Sequence, residues 1–235
     1  MIPKEDFAQK LKVEIVRLQK ILNVLQLKKP SHTFLFPTIG NALVSMTDLL
    51  IYLEGKNPYY PSFDEPLFNN RQAAMHRSFF GDLHAGVEEG LRKIIDDNKF
   101  EVSVSREDLA VGIVKSIRDK LGDTKLISEE LGKITKLGGT RPTFNDYLNT
   151  VLDNIPGLGK KYHKAARIYF DGLSIIRNKV SHSDMSLTDD EKKRLIDAKL
   201  GNTISKDGDL QMFPEGYKPL IKDAIRFFDN LYAHL

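Results

Sequence analysis

The chain has 235 residues, of which 41% are hydrophobic and 29% charged, and its formal net charge is +3. These values are typical of globular proteins and exclude a disordered or membrane-embedded composition. Cysteine is absent, which excludes disulfides, thiolate metal ligands and a cysteine nucleophile. The net charge is too small to indicate non-specific binding to a nucleic-acid duplex, because such binding neutralises many phosphates.

The longest nearly charge-free run covers residues 30–46 and is interrupted by Pro37 and Gly40. A membrane-spanning helix needs about 20 predominantly apolar residues, so this run predicts no membrane segment. The first residues, MIPKEDFAQKLK, lack the apolar core of a signal peptide. We therefore expect a cytoplasmic protein that makes no membrane contact.

Helical periodicity dominates the chain. Apolar residues recur at spacings of three and four from about residue 5 to 27, and a second apolar helix is predicted from about 39 to 53. We interpret residues 1–57 as a helical pair packed on the rest of the protein. Prolines in the following stretch predict an extended connection over residues 58–69.

Residues 70–235 predict one helical domain. Its expected helices begin at Asn70, at the capping box of Ser105, at Ser128, at Thr143 with Asp146, at Lys160, at the capping box of Thr188 and at Tyr217. Short apolar-bearing runs around Asp207-Gly208 are compatible with a small β-hairpin near residues 203–213. The predicted fold class is all-α, an antiparallel helical bundle.

The helix predicted from Lys160 to about Ser181 has an apolar face and a polar face. The apolar face carries Ala166, Tyr169, Leu173, Ile176 and Val180. The polar face, called here the polar stripe, consists of Lys160, Lys164, Arg167, Asp171, Ser174, Asn178 and His182. Arg177 lies at the border of the two faces, and its long side chain can reach toward Asn178 and His182.

The spacing of Arg177 and His182 carries little information by itself. With 11 arginines and 6 histidines, random placement predicts about one Arg–His pair with four to six intervening residues. The chain holds three such pairs: Arg71/His76, Arg77/His84 and Arg177/His182. We expect His76 and His84 to be packed or surface histidines. The position of Arg177/His182 at the end of the polar stripe separates it from the other two pairs.

This cluster has a chemical use on RNA, whose 2′-hydroxyl lies next to each phosphate. Histidine supplies a general acid or base near neutral pH, and guanidinium stabilises charge on phosphoryl oxygens. Asn178 would orient the imidazole or hold a phosphate oxygen, and neither a metal nor another cofactor is required. The alternative is a solvent-facing surface whose His and Arg suit the C-terminal end of a helix dipole.

The run IIRNKVSHSD over residues 175–184, followed by a capped helix and an amphipathic C-terminal helix, resembles the HEPN superfamily of all-α domains. That family's motif is an Arg, usually with a polar residue directly after it, then four to six residues and a His. Arg177, Asn178 and His182 match this motif. The likeness covers roughly residues 71–235 and leaves residues 1–57 unexplained.

The resemblance implies a homodimer in which two Arg/His motifs face one cleft. Many family members are metal-independent endoribonucleases that act as toxins or in phage defence, and Arg177 and His182 would be the catalytic pair. The expected RNA contacts are Lys160, Lys164, Arg167, Ser174 and Ser181. Some families add an acidic residue on the other core helix, a position for which we nominate Glu88, whose alternative role is a solvated surface charge.

Some HEPN toxins have a tyrosine two residues after the histidine, where a partner enzyme modifies it. Asp184 stands there in this chain, so that mode of neutralisation does not apply directly, although a cognate antitoxin or regulatory protein remains an expected partner. Two other readings stay open. One is a non-catalytic HEPN-like dimer that binds nucleotides, RNA or proteins, and the other is an unrelated helical interaction protein.

Overall fold

The computed structural model describes residues 4–28, 30–56, 64–102, 117, 142–155 and 157–235. Within these residues it contains seven α-helices and no β-strand, which confirms the all-α prediction. The helices are α1 (Lys4–Lys28), α2 (Phe36–Leu53), α3 (Glu65–Asn98), α4 (Phe144–Asn154), α5 (Lys160–His182), α6 (Asp189–Asp197) and α7 (Tyr217–Tyr232). Of the helix predicted at residues 105–122 the structure describes only residue 117, which is helical, and the helix predicted from Ser128 to Gly138 lies outside the described residues.

The chain divides into two compact units, one made of residues 1–90 and 155–235 and the other of residues 91–154. In the second unit, α4 begins with the predicted pairing of Thr143 and Asp146: the Thr143 N–H donates to Asp146 Oδ2 at 2.7 Å. There the guanidinium of Arg92 also lies 4.8 Å from the ring centroid of Tyr147. The boundary predicted at residues 58–69 falls partly outside the described residues and stays a prediction.

In the first unit, α1 and α2 pack against each other. The ammonium group of Lys12, in the first half of α1, lies 2.7 Å from a carboxylate oxygen of Glu54, which directly follows α2. The two helices therefore run antiparallel. Glu14 on α1 is buried, and its Oε1 accepts the backbone N–H of Lys218 at 3.1 Å. Burial raises the pKa of this carboxyl. Glu14 therefore caps the first turn of α7 from a different part of the chain.

The segment Ser31–Leu53, which contains α2, is long and apolar enough to cross a membrane by length and composition, with a mean hydropathy of 1.5. Core helices of soluble proteins pass the same test, and 39% of this segment's most apolar window is buried. Its inward side chains include Ile39, Met46 and Leu49. The absence of membrane contact stays a prediction.

The start of α3 differs from the prediction. The helix begins at Glu65, five residues before the predicted cap Asn70. Asp64 caps it instead, because its Oδ1 accepts the N–H of Leu67 at 2.7 Å. The hydroxyl of Tyr52 on α2 holds the Asp64 backbone, donating to its carbonyl at 2.9 Å and accepting its N–H at 2.7 Å. The prediction from local sequence put the start of α3 at Asn70 because it could not include this contact between Tyr52 and Asp64.

The other local signals have mixed outcomes. The capping box of α6 is present, with the Glu191 N–H donating to Thr188 Oγ1 and the Thr188 N–H donating to Glu191. No strand forms over residues 203–213, where a single antiparallel bridge joins Ile204 and Leu210. The N–H of Leu210 donates to the carbonyl of Met185 at 2.7 Å. The segment therefore forms one bridge, flanked by hydrogen bonds from Ser205 to Asp209 and from Gln211 to Thr203, and is also tied to the loop after α5.

The core of this unit joins α3 to α7 through aromatic side chains. The rings of Phe79 and Tyr217 stack with centroids 3.6 Å apart, and the Tyr217 hydroxyl lies 2.6 Å from Nδ1 of buried His76. Burial lowers the pKa of His76 to about 4, so its imidazole is neutral at neutral pH. Gly90 permits close packing, because a Cβ there would lie 2.5 Å from the ring of Phe228.

Candidate active site

The candidate site is built on the C-terminal end of α5. His182 is its last residue, and Ser183 follows in the left-handed conformation with φ of 56°. The N–H groups of Ser183 and Asp184 donate to the carbonyls of Val180 and Lys179, as in a Schellman cap. Such a cap ends the helix sharply and leaves the side chain of His182 exposed at its tip.

Asp184, two residues after His182, holds this end in place. Its carboxylate accepts the hydroxyl of Ser186 at 2.6 Å, and this hydrogen bond lowers the pKa of Asp184. The ammonium group of Lys179 lies 3.4 Å from Asp184 and 3.2 Å from Glu191 on α6. Asp184 therefore ties the loop after α5 to Ser186 and, through Lys179, to the end of the helix.

Arg177 and Asn178 are both exposed and hydrogen-bonded to each other. Nη1 of Arg177 donates to Oδ1 of Asn178 at 3.2 Å, so the guanidinium leans toward the polar stripe. Asn178 and His182 are one turn apart and separated by about 40° around the helix axis. The guanidinium, the amide and the imidazole therefore follow one another along the same exposed surface.

A second helix contributes to this surface. Nη1 of Arg77 on α3 donates to the hydroxyl of Ser183 at 2.9 Å, which joins α3 to the end of α5. His84, two turns further along α3, is half-buried and interacts electrostatically with Arg177 and with Glu88. Burial lowers the pKa of His84 and the positive charge of Arg177 lowers it further, whereas the negative charge of Glu88 opposes both.

Arg77 on α3 bonds Ser183 at the end of α5, whereas Gly90 on α3 and Phe170 on α5 both pack on the neighbouring rings of Phe228 and Phe227, so α3 and α5 run antiparallel. From Arg77 to His84, α3 advances about 10.5 Å, and from Ser183 back to Arg177, α5 retreats about 9 Å. The hydrogen bond between Arg77 and Ser183 and the electrostatic interaction between His84 and Arg177 therefore lie about two helical turns apart along the same helix pair. Two of the three Arg–His pairs in the sequence, Arg77/His84 and Arg177/His182, therefore lie on adjoining parts of α3 and α5. Their proximity depends on tertiary packing.

The remaining predicted residues of the site lie along α5 as the helical spacing requires. Lys160, Lys164, Arg167 and Ser181 are exposed. The Ser174 hydroxyl donates to the Phe170 carbonyl at 2.9 Å, which leaves its oxygen as an acceptor. Asp171, in the middle of the polar stripe, accepts both Nε and Nη2 of Arg194 on α6. This ion pair neutralises the acidic member of the stripe and leaves its basic members as the exposed charges.

Sequence reasoning missed two features. It predicted that His84 is a packed or surface residue. The sequence feature that could have placed His84 at the site is its separation from Arg77 by six residues, which matches the Arg–His spacing. It also missed a pocket of about 380 Å³ between the first half of α5, the end of α6 and α7. Aromatic side chains line this pocket, together with Asp223, Arg226 and Asn230. Within the described residues, the Tyr169 hydroxyl at its wall is buried and has no hydrogen-bond partner.

The electrostatics of this pocket differ from those at the end of α5. Burial raises the pKa of Tyr169 well above its ordinary value, and the negative charge of Asp223 raises it further. Burial also raises the pKa of Asp223, against the effect of Arg226. Over the residues that the structure describes, no group of three His, Asp or Glu side chains is close enough together to hold a metal ion.

Comparison with known proteins adds no relative to these observations. No protein-family model matches the chain, and neither a curated protein nor a solved structure matches it.

Proposed function

We propose that the protein is a metal-independent endoribonuclease of the HEPN type, active as a homodimer in a toxin or phage-defence role. One observation carries the proposal: the Arg177 guanidinium is hydrogen-bonded to Asn178 on the exposed end of α5, one turn before His182. A cation, an amide and an imidazole on one accessible surface are the groups that RNA cleavage by its own 2′-hydroxyl requires.

In this reaction the 2′-oxygen attacks the adjacent phosphorus while the bond from phosphorus to the 5′-oxygen breaks. The products are a 2′,3′-cyclic phosphate and a 5′-hydroxyl. Arg177 stabilises the negative charge that develops on the phosphoryl oxygens, because its planar guanidinium offers several N–H donors. His182 takes part in proton transfer, and Asn178 orients the guanidinium through the hydrogen bond at 3.2 Å.

The exposed basic side chains of α5 support an RNA path leading to this end. Lys160 and Lys164 lie on the same face as Asn178, and the helix rises about 27 Å from Lys160 to Asn178. Arg167 lies between Lys164 and Asn178, and Ser174 and Ser181 add hydroxyl groups near the motif. In the proposed homodimer the partner's α5 end faces the same cleft, and a cognate antitoxin or regulatory protein would act by covering it.

The test is cleavage of single-stranded RNA by purified protein in excess chelator, compared with Arg177→Ala and His182→Ala. We expect products with 2′,3′-cyclic phosphate ends, and a loss of about 10²-fold or more in each variant. His234→Ala, which alters an exposed histidine on the C-terminal segment, is the matched control and should keep full activity. Absence of cleavage by the unaltered protein across several RNAs would contradict the proposal.

Oligomeric state gives an independent check. One chain has a mass of 26.7 kDa, and light scattering after size-exclusion chromatography should give twice this value. A strict monomer over the concentration range of the activity assay would remove the composite cleft from the proposal.

A second candidate function, a non-catalytic nucleotide- or RNA-binding module, is favoured by the pocket of about 380 Å³. Its aromatic walls suit a planar base, and the unpartnered hydroxyl of Tyr169 and the amide of Asn230 suit hydrogen bonds to its edge. This candidate predicts that nucleotides raise the melting temperature of the protein and that Tyr169→Phe weakens the effect. It also predicts no RNA cleavage.

A further inference from the structure

Arg177 interacts with Asn178 on its own helix and with a histidine of a different helix. On one side its guanidinium bonds Asn178, whose next neighbour on the same helical face is His182. On the other side its charge acts on His84 of α3. Around the axis of α5, Arg177 and His182 are about 140° apart, so the border position of Arg177 turns it toward α3 as well as toward the polar stripe.

The position of His84 is set by the packing of α3 on α5. The hydrogen bond from Arg77 to Ser183 joins the two helices at the C-terminal end of α5, about two turns of α3 away from His84. Glu88, one turn beyond His84 on the same face of α3, is half-buried beside it. His84 itself is half-buried, so its imidazole is partly shielded from water and still accessible.

We propose that His84 is a second catalytic histidine, which accepts the 2′-hydroxyl proton while His182 donates a proton to the departing 5′-oxygen. Arg177 holds the phosphate between them. The inference rests on the proposed ribonuclease function and adds to it the residue that acts as the base. One proton leaves the 2′-oxygen for His84 and one passes from His182 to the 5′-oxygen, so the cleavage step is balanced without any further reactant.

The surroundings of the two imidazoles fit these different tasks. A general base must be unprotonated at the working pH, and burial together with Arg177 lowers the pKa of His84. The charged groups that act on His84 are Arg177 from α5 and Glu88 from α3 itself. His182 is exposed at the tip of the last turn of α5, where its imidazole is open to a departing 5′-oxygen.

The first experiment measures kcat/KM on single-stranded RNA for His84→Gln, with His234→Gln as the matched control. We expect a loss of about 10²- to 10³-fold for His84→Gln and no loss for the control. Far-UV circular dichroism and the melting temperature verify that His84→Gln remains folded.

The second experiment separates the base from the acid. A substrate with sulfur in place of the 5′-oxygen has a leaving group that departs without protonation. It should therefore restore cleavage by His182→Gln to near the wild-type rate and leave His84→Gln slow. In a third measurement, Glu88→Gln removes the charge that raises the pKa of His84. The acidic limb of its pH–rate profile should move to lower pH.

The outcomes distinguish this inference from the function on which it rests. If the unaltered protein cleaves no RNA, the proposed function fails and His84 has no reaction to serve. If it cleaves and His84→Gln cleaves equally fast, only the role of His84 is wrong. Rescue of His84→Gln by the sulfur substrate would contradict the assignment of His84 as the base, because a better leaving group does not replace a base.

Discussion

His76 and His84 lie two turns apart on α3, yet they have different surroundings. His76 is buried against Tyr217 and Phe79, with its Nδ1 hydrogen-bonded to the Tyr217 hydroxyl. His84 is half-buried at the edge of the same helix, within the electrostatic influence of Arg177 and Glu88. Each follows an arginine, Arg71 or Arg77, at a spacing that random placement of these residues also produces. The comparison shows that the helices packed on each face of α3, and not the local spacing, assign one histidine to the core and the other to a candidate site.

The largest expected effect concerns the core histidine. His76→Ala should lower the free energy of unfolding by about 3 to 5 kcal/mol, because it opens a cavity and leaves the buried Tyr217 hydroxyl without its partner. His84→Ala is the matched variant on the same helix and should cost less than about 1 kcal/mol. Urea unfolding measures both, and equal losses would remove the distinction between the two residues.

The next largest effect is the pH dependence of stability. The pKa of His76 is about 4 in the folded protein and near 6.5 in the unfolded chain. Between these values the unfolded chain binds more protons, so the contribution of His76 is fully present above about pH 6.5 and is lost as the pH falls toward 4. The expected loss is about 3 kcal/mol.

This pH effect can be isolated with a variant that does not titrate. His76→Gln should unfold at lower urea concentration at pH 7, and its stability should change less than that of the wild type between pH 6.5 and 4.5. Parallel pH dependence in the two proteins would show that other groups cause the loss, and would place His76 in a wetter environment than the structure describes.

The smallest expected effect is at the surface contact between α3 and α5. Arg77→Ala removes the hydrogen bond to Ser183, which is exposed and should contribute about 0.5 to 1 kcal/mol. Amide hydrogen exchange should increase at residues 181–184 and stay unchanged around Tyr217. Unchanged exchange at the tip would mean that the Schellman cap and Lys179 hold this end without Arg77.

Much of the fold could be predicted because its signals are local. The helical periodicity of α1 and α5 gave bounds within a residue or two of Lys4–Lys28 and Lys160–His182. The Thr188 and Thr143 pairings depend on side chains three residues apart, which is a distance that a sequence displays directly. The start of α3 could not be predicted, because Tyr52 on another helix holds the capping residue Asp64.

The possible hairpin near residues 203–213 is reduced to a single antiparallel bridge without strands. Asp207 and Gly208 do make a turn, and Gly208 has the positive φ of 85° that such a turn uses. The two runs pair through the N–H of Ser205 donating to the carbonyl of Asp209 and the N–H of Gln211 donating to the carbonyl of Thr203, but a strand needs further successive pairs and these two hydrogen bonds flank a single bridge. The turn residues could be recognised from the sequence, whereas the length of the ladder depends on how far the two runs stay alongside each other in the fold.

The candidate site has the same two origins. The sequence alone determined that Asn178 and His182 share a face of α5 with Arg177 at its edge, because residues four apart on a helix are neighbours whatever surrounds the helix. Only the tertiary structure decided that His84 and Arg77 lie against that edge, because the antiparallel register of α3 and α5 joins residues about a hundred positions apart. Helical geometry repeats every few residues and can be read from the chain, but the packing of two helices depends on every side chain between them.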